Sequence, residues 1–123
     1  MIFLDTNAII YLYAGERHFS ERAQKLMGDN DCLISPVVQL EYQYLHEIGR
    51  VKKTFHTVLE ALKHDIGLEI SDISLSKLIN EAVKITWTRD PFDRLITAHA
   101  KLEHRYLITS DKIIQKHYSK AIW

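Results

Sequence analysis

Four acidic side chains occupy positions from which they could form one site. They are Asp5, Glu41, Asp93 and Asp111. Two carboxylates about 4 Å apart repel each other by roughly 4 kcal/mol at an effective dielectric constant of about 20. A hard divalent cation such as Mg²⁺ or Mn²⁺ removes that cost, because carboxylate oxygens are its preferred ligands. Such an ion can also activate water and bind a phosphoryl oxygen, so this set favours metal-assisted chemistry at a phosphate group.

Short apolar runs alternate with amphipathic segments along the chain, and this alternation predicts the elements that hold the acids. The predicted strands are 2–4, 32–34, 68–70, 106–109 and 121–123. The predicted helices are 8–13, 19–27, 36–48, 52–64, 74–86, 92–104 and a short one after residue 111. Strands that alternate with helices form a parallel sheet with helices on both faces. Ligands of such sheets bind beyond the carboxyl ends of the strands, and we expect Asp5 and Asp111 there because each lies just after a strand.

Each acid also has an interpretation without catalysis. Asp5 could simply cap the first helix, because Asp, Thr and Asn are N-cap residues, and Asp111 could belong to a turn. Glu41 favours a function more strongly. It lies between Leu40 and Tyr44-Leu45, on or near a stripe that we expect to be buried, and a buried glutamate needs a partner. Three of the four acids lie near predicted helix N-termini, which stabilise negative charge.

The composition is that of an ordinary globular domain. With 123 residues, of which 46% are hydrophobic and 26% are charged, the chain suits a single domain spanning 1–123 with a core of its own. Its 16 basic residues balance 16 acidic ones, which argues against a surface that grips nucleic acid over its whole extent. Near-zero net charge favours association. Because Tyr11, Tyr13 and Tyr42 look exposed, we expect a protein partner.

Cysteine and histidine exclude several other classes of site. Cys32 is the only cysteine, so neither an internal disulfide nor a zinc site built mainly from thiolates can form, and we expect a small buried apolar residue there. The seven histidines form neither a His-Glu-x-x-His motif nor a pair at i and i+4, which argues against a histidine metal site. We find no signal segment and no apolar run of about 20 residues, so we expect a cytoplasmic protein with no membrane association.

Four motifs, in this order, resemble those of PIN domains, and in particular those of VapC-like toxins of bacterial toxin–antitoxin modules. The motifs are Leu4-Asp5-Thr6-Asn7, Glu41, Asp90-Pro91-Phe92-Asp93-Arg94-Leu95-Ile96 and Leu107-Ile108-Thr109-Ser110-Asp111. The resemblance extends from Ile2 to about Tyr118. It implies a five-stranded parallel sheet flanked by helices, and metal-dependent cleavage of RNA at an acidic Mg²⁺ or Mn²⁺ site. It further implies a homodimer and an antitoxin protein that blocks the acidic site, often with a basic side chain.

The resemblance also implies a role for each residue near the site. The acids that would hold one or two divalent ions are Asp5, Glu41, Asp93 and Asp111. Thr6 or Asn7, together with Ser110, would support these ligands through hydrogen bonds. Asp90 has two interpretations, a direct metal role and a plain N-cap three residues before Asp93. Four basic residues near the predicted site could contact RNA phosphates. They are Arg89, Arg94, Lys112 and Lys116. Most charges on such helices, however, are simply solvated.

Three other functions stay open at this point. Asp5-Thr6-Asn7 after a strand superficially resembles the aspartyl opening of haloacid-dehalogenase-like phosphatases, but those have a second acid where this chain has Asn7. The chain could also be a PIN nuclease of RNA processing outside any toxin module. A metal-free PIN-like binding module is the third alternative. Loss of an acid would mark such a module, and all four acids are present.

Overall fold

The computed structural model describes residues 1–15 and 18–123. Within them, five strands form one parallel sheet in the order β3-β2-β1-β4-β5. The strands are β1 Ile2–Leu4, β2 Cys32–Ile34, β3 Glu69–Ile70, β4 Leu107–Ile108 and β5 Ala121–Ile122. The chain builds the sheet outward from β1 to β3 on one side and then crosses to β4 and β5 on the other. Right-handed crossovers therefore place helices on both faces, and the predicted five-stranded parallel sheet is confirmed.

The described residues form seven helices. They are α1 Thr6–Ala14, α2 Glu21–Asp29, α3 Pro36–Glu47, α4 Phe55–Ile66, α5 Leu75–Ala82, α6 Pro91–Leu102 and α7 Lys112–His117. Each lies where the sequence predicts a helix, but α2 and α4 begin later than predicted. The hydroxyls of Ser20 and Thr54 accept hydrogen bonds from the backbone N–H groups of Ala23 and Thr57. Such N-caps fix the first turn, so the cap rather than the apolar periodicity sets where each helix begins.

Helix α5 ends at Ala82, well before the predicted end at Thr86. The guanidinium group of Arg94, in α6, donates to the carbonyl of Ala82 at 3.2 Å and to that of Val83 at 3.4 Å. Carbonyls in the last turn of a helix have no partner within the helix. Arg94 therefore stabilises an early end that the periodicity of the sequence does not reveal.

The central strand β1 pairs with β2 on one side and β4 on the other, so that Phe3 is in register with both Leu33 and Leu107. All three residues of β1 are at most 2% exposed. We call the two ends of the strands the carboxyl edge and the amino edge. The residues that directly follow strands at the carboxyl edge are Asp5, Ser35, Ser71 and Thr109. The residues that directly precede strands at the amino edge are Met1, Asp31, Leu68, Tyr106 and Lys120.

The predicted exposure of Tyr42 is wrong. Its side chain is 2% exposed, and its hydroxyl donates to the carbonyl of Lys53 at 2.7 Å. Its ring lies 5.8 Å from that of Phe55, because α4 packs over this face of α3. Tyr11 and Tyr13 are half-buried. The exposed large apolar side chains on the helices are instead Leu40, Tyr44, Ile48, Leu75, Ile79, Val83 and Ile113.

Cys32 is fully buried in β2, and burial raises the pKa of its thiol to about 11. The prediction of a buried cysteine is confirmed. In the two described ranges, no helix has the length and apolar character needed to cross a membrane.

Candidate active site

Asp5 lies at the junction of β1 and α1, where its extended backbone lets its side chain cap the helix. The residue is only 3% exposed. Its Oδ1 accepts a hydrogen bond from the backbone N–H of Thr6 at 2.7 Å. Its Oδ2 accepts from the hydroxyl of Thr109 at 2.6 Å and from the side-chain amide of Asn7 at 3.4 Å. Both oxygens therefore have partners, and the carboxylate is held in one orientation at the carboxyl edge.

Thr109 links Asp5 to Asp111. This threonine follows β4 and is fully buried. Besides donating to Asp5, its hydroxyl accepts from the backbone N–H of Asp111 at 3.1 Å. Asp111 in turn caps α7, where its Oδ1 accepts from the N–H groups of Ile113 at 2.8 Å and Ile114 at 3.0 Å. Asp5 and Asp111 are thus both helix caps, and the capping fixes both carboxylates at the same edge.

Asn7 and Thr6 add further contacts beside Asp5. The side-chain oxygen of Asn7 accepts from the backbone N–H of Ser110 at 3.3 Å, so Asn7 bridges the ends of β1 and β4. Ser110 contributes to this bridge through its backbone. The hydroxyl of Thr6 is buried and makes no hydrogen bond of ordinary length in the described residues. It nevertheless acts on Glu41, whose pKa it lowers, so Thr6 lies next to that carboxylate.

Glu41 is half-buried in the second turn of α3. The neighbours Leu40 and Tyr44 do not form the buried stripe near which Glu41 was expected, because they are 62% and 50% exposed. Helix α3 buries Val38 and Tyr42 instead. Glu41 therefore lies at the border of the buried face, where its carboxylate can approach the other acids without entering the apolar core.

Asp90 and Asp93 form the beginning of α6. Asp90 is exposed and caps the helix, with its Oδ1 accepting from the backbone N–H of Asp93 at 3.0 Å. Asp93 is half-buried in the first turn. Burial raises the pKa of Asp93 to about 7, and the charge of Asp90 is the next largest cause. The structure thus gives Asp90 the capping role, and its charge also acts on its neighbour.

Burial and mutual repulsion raise the pKa values of three acids. The pKa of Asp5 rises to about 6, and those of Glu41 and Asp93 each rise to about 7. Desolvation by burial is the largest cause in all three cases. Repulsion by the charges of Asp90 and Asp111 raises each of the three further. Mutual effects of this kind require proximity, so the structure brings the four predicted acids, together with Asp90, to one place.

The chemistry of this donor set fits a hard divalent cation. All the donors are carboxylate oxygens, which Mg²⁺ and Mn²⁺ prefer, and a cation would relieve the repulsion. As the side chains stand, no three Asp, Glu, His or Cys groups in residues 1–15 and 18–123 are arranged to hold a metal ion. Asp90 and Asp111 use only Oδ1 for capping. Ion binding would therefore need the acids to rotate, with the second oxygens of these two as available ligands.

Comparison with known proteins identifies the fold that carries this acid cluster. The family model of the PIN domain matches residues 2–120. The chain belongs to the PIN-domain family. Members of this family are nucleases, which places the chain among the hydrolases in the broad sense. No curated protein gives a significant match.

Several solved structures share the fold of this PIN domain. VapBC2 from Rickettsia felis, bound to a DNA fragment from its promoter, is 23% identical with a TM-score of 0.67, over 100% of this chain and 98% of that chain. A toxin–antitoxin complex from Klebsiella pneumoniae is 20% identical with a TM-score of 0.65, over 100% and 97% of the two chains. VapBC-1 from nontypeable Haemophilus influenzae has the same identity and TM-score, over 100% and 96%. At these identities the likeness shows a common fold.

Membership of the PIN family argues against the phosphatase alternative, and so does the geometry of Asp5. A carboxylate that acts as a nucleophile needs an accessible oxygen. Asp5 is almost completely buried, and both of its oxygens accept hydrogen bonds. In this PIN domain it is suited to be a fixed ligand rather than an attacking group.

The four basic residues predicted to contact RNA differ in their surroundings. Arg94 is half-buried, and its guanidinium group donates to the end of α5, so its charge is directed away from a substrate. Arg89 lies next to Asp90 in the chain and is exposed. Lys112 and Lys116 are exposed on α7. These three keep their charges free for a phosphate near the acid cluster.

The sequence did not predict the contacts of Thr109, which belongs to one of the four motifs but had no role assigned to it. Its carbonyl also accepts from the side chain of Gln115 at 2.9 Å, which fixes the start of α7 against the end of β4. A signal was present. Thr109 ends the predicted strand 106–109, and in a parallel sheet the end of that strand lies beside the end of the strand that precedes Asp5.

Proposed function

We propose that this PIN domain is a metal-dependent endoribonuclease and the toxin of a toxin–antitoxin pair. One observation carries the proposal, namely the convergence of Asp5, Glu41, Asp93 and Asp111 at the carboxyl edge with raised pKa values at three of them. A family of nucleases supplies the class of reaction, and structures of toxin–antitoxin complexes supply the biological setting. The cytoplasm, where RNA is the available substrate, is the compartment that we propose.

The proposed roles of the residues follow from their surroundings. Asp5, Glu41, Asp93 and Asp111 would hold Mg²⁺ or Mn²⁺, and such an ion, when bound, lowers the pKa of a water molecule and polarises a phosphoryl oxygen. Thr109 and Asn7 orient the carboxylate of Asp5. Without metal the pKa of Glu41 is about 7, and a bound cation would lower it and keep this side chain in its charged, ligating form. Arg89 and Lys112 would neutralise the phosphates on either side of the cut.

The test is cleavage of structured RNAs by the purified protein with a chelator, with Mg²⁺ and with Mn²⁺. We expect cleavage that the chelator abolishes and that either ion restores. Asp5→Asn and Glu41→Gln should lose most of the activity while staying folded, whereas Asp72→Asn and Glu60→Gln change exposed acids and should keep it. Full activity of Asp5→Asn would contradict the mechanism.

One observation favours a second candidate, an inactive PIN-like binding module. As stated above, the side chains do not form a ready-made metal site in the described ranges. A module without metal would bind RNA equally well with chelator and with Mn²⁺, and it would cleave none. The raised pKa values favour the nuclease, because a binding module gains nothing from carboxylates that repel one another.

An apolar face on three helices supports the proposed homodimer. The row Leu40, Tyr44 and Ile48 on α3 and the row Leu75, Ile79 and Val83 on α5 are all exposed. Both helices contact α6 between them, where the ring of Phe92 lies 6.1 Å from that of Tyr44. A cavity of about 160 Å³ lies between α5 and α6. An apolar patch of this kind typically marks an interaction site, and a second copy of the chain would cover it with the same patch.

Light scattering tests the dimer. Tyr44→Asp combined with Leu75→Asp should give a monomer, because each change puts a charge into the covered face. Ile113→Asp is the matched control, since Ile113 is 54% exposed on α7, outside this face. A parent protein that is monomeric at high concentration would exclude the dimer.

A groove between α1 and α4 is the surface that we propose for the antitoxin. It has a volume of about 160 Å³ and is lined by Ile10, Tyr13, Ala14, Val58 and two exposed lysines, Lys52 and Lys53. An apolar segment with acidic neighbours would match this lining, and α1 leads from the groove to Asp5. Ala14→Trp should fill the groove and weaken binding of the protein encoded by an adjacent small open reading frame. Unchanged binding would place the antitoxin elsewhere.

A further inference from the structure

A second polar pocket lies at the amino edge of the sheet, on the opposite side from the acid cluster. It has a volume of about 260 Å³. We call it the amino-edge pocket. The residues that line it include Leu26, Asn30, His104, Arg105, Tyr106 and Lys120. No acidic side chain lines it, although the chain as a whole carries as many acids as bases. Its position follows from the fold, because Tyr106 and Lys120 directly precede β4 and β5.

Three cations converge on the ring of Tyr106 or on the pocket beside it. The guanidinium group of Arg22 lies 5.3 Å from the centre of the ring and donates to the tyrosine hydroxyl at 2.9 Å. The ammonium group of Lys120 lies 5.8 Å from the same ring. Arg105 is exposed at the wall of the pocket. Arg22 and Lys120 make cation–π contacts with this ring, which stabilise the two charges without neutralising them.

The partners of these cations in the protein are all neutral. Lys120 donates to the carbonyl of His104 at 2.9 Å, and Arg22 donates to Tyr106. Within the described ranges, no carboxylate forms an ion pair with Arg22, Arg105 or Lys120. The charge of the cluster is therefore available for an external anion.

The backbone at the wall of the pocket adopts an unusual conformation. His104 has a φ of 54°, the left-handed region that residues other than glycine seldom adopt. This turn follows the end of α6 and directs the carbonyl of His104 to Lys120. The backbone N–H groups of His104 and Arg105 donate to the carbonyls of Lys101 and Ala100, so His104 is the left-handed residue of the cap that ends α6. The carbonyl of His104 holds Lys120, half-buried, in place at the pocket.

We propose that the amino-edge pocket is a phosphate-binding site that holds a backbone phosphate of bound RNA at a distance from the acid cluster. This inference rests on the proposed function for the identity of the polymer, while the phosphate chemistry stands on the pocket itself. Arginine and lysine are the side chains that contact phosphates most often. A second contact on the opposite edge of the sheet would require an RNA long enough to reach around the domain, so the site would favour long or folded RNAs over short ones.

Binding of RNA in the presence of a chelator tests the proposal without cleavage. The variant Arg105→Gln with Lys120→Gln removes two cations from the pocket. Its control, Lys63→Gln with Lys77→Gln, makes the same charge change at exposed positions on α4 and α5. Each phosphate contact adds about 0.7 to the salt slope of a single-stranded complex. Because the pocket would hold one phosphate, the pocket variant should lose about 0.7 of that slope, so its affinity should fall about 2.6-fold less than that of the parent between 50 and 200 mM salt.

A charge-preserving variant and a second ligand make each outcome decisive. Arg105→Lys with Lys120→Arg keeps both charges, so the folded variant should keep the salt slope of the parent. Inorganic phosphate should shift the amide resonances of Tyr106 and Lys120 in the parent and not in the glutamine variant. If phosphate produces these shifts but the RNA slopes of parent and variant agree, the site serves a free phosphate and the RNA contact is wrong.

The remaining outcomes separate this inference from the proposed function. If the parent binds no RNA at all, the proposed function fails, and the phosphate titration alone decides the pocket. A second outcome is that the parent binds RNA, that the pocket variant and the surface control have the same salt slope as the parent, and that phosphate shifts no resonance. The phosphate site would then be wrong, while the proposed nuclease function would be unaffected. In that case the cations serve only to stabilise the carboxyl ends of nearby helices.

Discussion

At the carboxyl edge of the sheet, four acids are buried or half-buried, and hydrogen bonds tie Asp5 and Asp111 to Thr109 at the end of β4. At the amino edge, cations lie near the surface around an open pocket and contact only neutral groups. The two edges belong to the same five strands and are separated by only two or three residues along each of them. The difference shows how one backbone arrangement can hold a cluster of acids at one edge of a sheet and a cluster of cations at the other.

Helix direction accounts for the sign of the charge at each edge. In a parallel α/β fold, helices begin at the carboxyl edge and end at the amino edge. The beginning of a helix favours negative charge and its end favours positive charge. Asp5, Asp90 and Asp111 each cap a helix at the carboxyl edge, whereas Arg105 follows the end of α6 and Lys120 follows the end of α7. The dipoles therefore favour the positions of these acids and of these two cations.

What the dipoles do not explain is the excess of acid at the carboxyl edge. An acid that only stabilised a helix would have a lowered pKa, because the helix favours its charged form. The pKa values of Asp5, Glu41 and Asp93 are raised instead. The charged acids therefore destabilise the folded protein at this edge. Strongly shifted pKa values of this kind are typical of functional sites. The experiments below ask whether each edge does more than its dipoles require.

The largest effect should follow from removing a charge at the centre of the carboxyl edge. Asp5→Asn should lower cleavage of RNA at least about a hundredfold, because a fixed acidic group is lost from the site. Arg105→Gln should reduce it far less, since the amino edge would only contribute to binding. The two rates, measured at saturating RNA with Mn²⁺, compare the edges directly. Equal losses in both variants would remove the functional distinction between them.

The next effect should come from Thr109, which touches two acids without being one. Thr109→Val removes the donor to Asp5 and the acceptor for the N–H of Asp111. Loss of such a supporting contact typically costs about 10- to 100-fold in metal affinity or activity. Thr109→Ser should restore both. Thr97→Val is the matched control, because the hydroxyl of Thr97 is buried without a hydrogen-bond partner and its loss costs little. Metal titration of all three variants would expose a purely structural role.

These residues also show how far the sequence alone could go. The order of strands and helices follows from alternating apolar runs and capping residues, and the sheet and its edge were predicted from that alternation. Asp5 and Asp111 were placed at the correct edge because each follows a strand, a relation that is local in the chain. Convergence of Glu41 and Asp93 with them was an expectation from the family resemblance, since no local pattern fixes it.

Contacts between residues that are far apart in the chain could not be predicted from the sequence, for physical reasons. The bond from Thr109 to Asp5 joins residues 104 positions apart, and its existence depends on the register of β1 against β4. Tyr42 was judged exposed because the face that α4 covers cannot be read from α3 alone. Glu41 was expected on or near a buried stripe for the same reason. The cations at the amino-edge pocket, Arg22, Arg105 and Lys120, come from three separate segments of the chain. No sequence motif therefore predicts this pocket.

A smaller effect concerns stability without metal. Asp93→Asn removes one charge from the repelling set, so the melting temperature of the metal-free protein should rise, by a few degrees for about 1 kcal/mol. Mn²⁺ should stabilise the parent by about 2.7 kcal/mol at a hundredfold excess over its dissociation constant, and it should stabilise Asp93→Asn less. Thermal melts with chelator and with Mn²⁺ give both numbers. A parent protein that Mn²⁺ fails to stabilise would count against a shared metal site.

The smallest effect is the contribution of one buried histidine to a pH dependence that the acids dominate. The folded pKa values of Asp5, Glu41 and Asp93 lie above their ordinary values, so the folded protein binds protons more tightly there. Its stability without metal should therefore fall as the pH rises from about 4 to about 7, by on the order of 2 kcal/mol after allowance for solvent screening.

His99 should act in the other direction. It is fully buried against Phe3, at a ring distance of 4.7 Å, and neither ring nitrogen has a partner in the described residues. Burial lowers its pKa, with the charge of Glu103 acting weakly against that change. Below about pH 6.5 His99 is protonated in the unfolded chain but stays neutral in the folded protein. The free energy of unfolding therefore decreases as the pH falls below about 6.5. His99→Leu should remove the loss and steepen the fall in stability between pH 5 and 6.5. Urea unfolding of both proteins over this range, with chelator present, measures the slopes. Parallel curves would mean that His99 keeps one charge state throughout, and a flat curve for His99→Leu would mean that the pKa values of the carboxyl-edge acids are not raised in the folded protein.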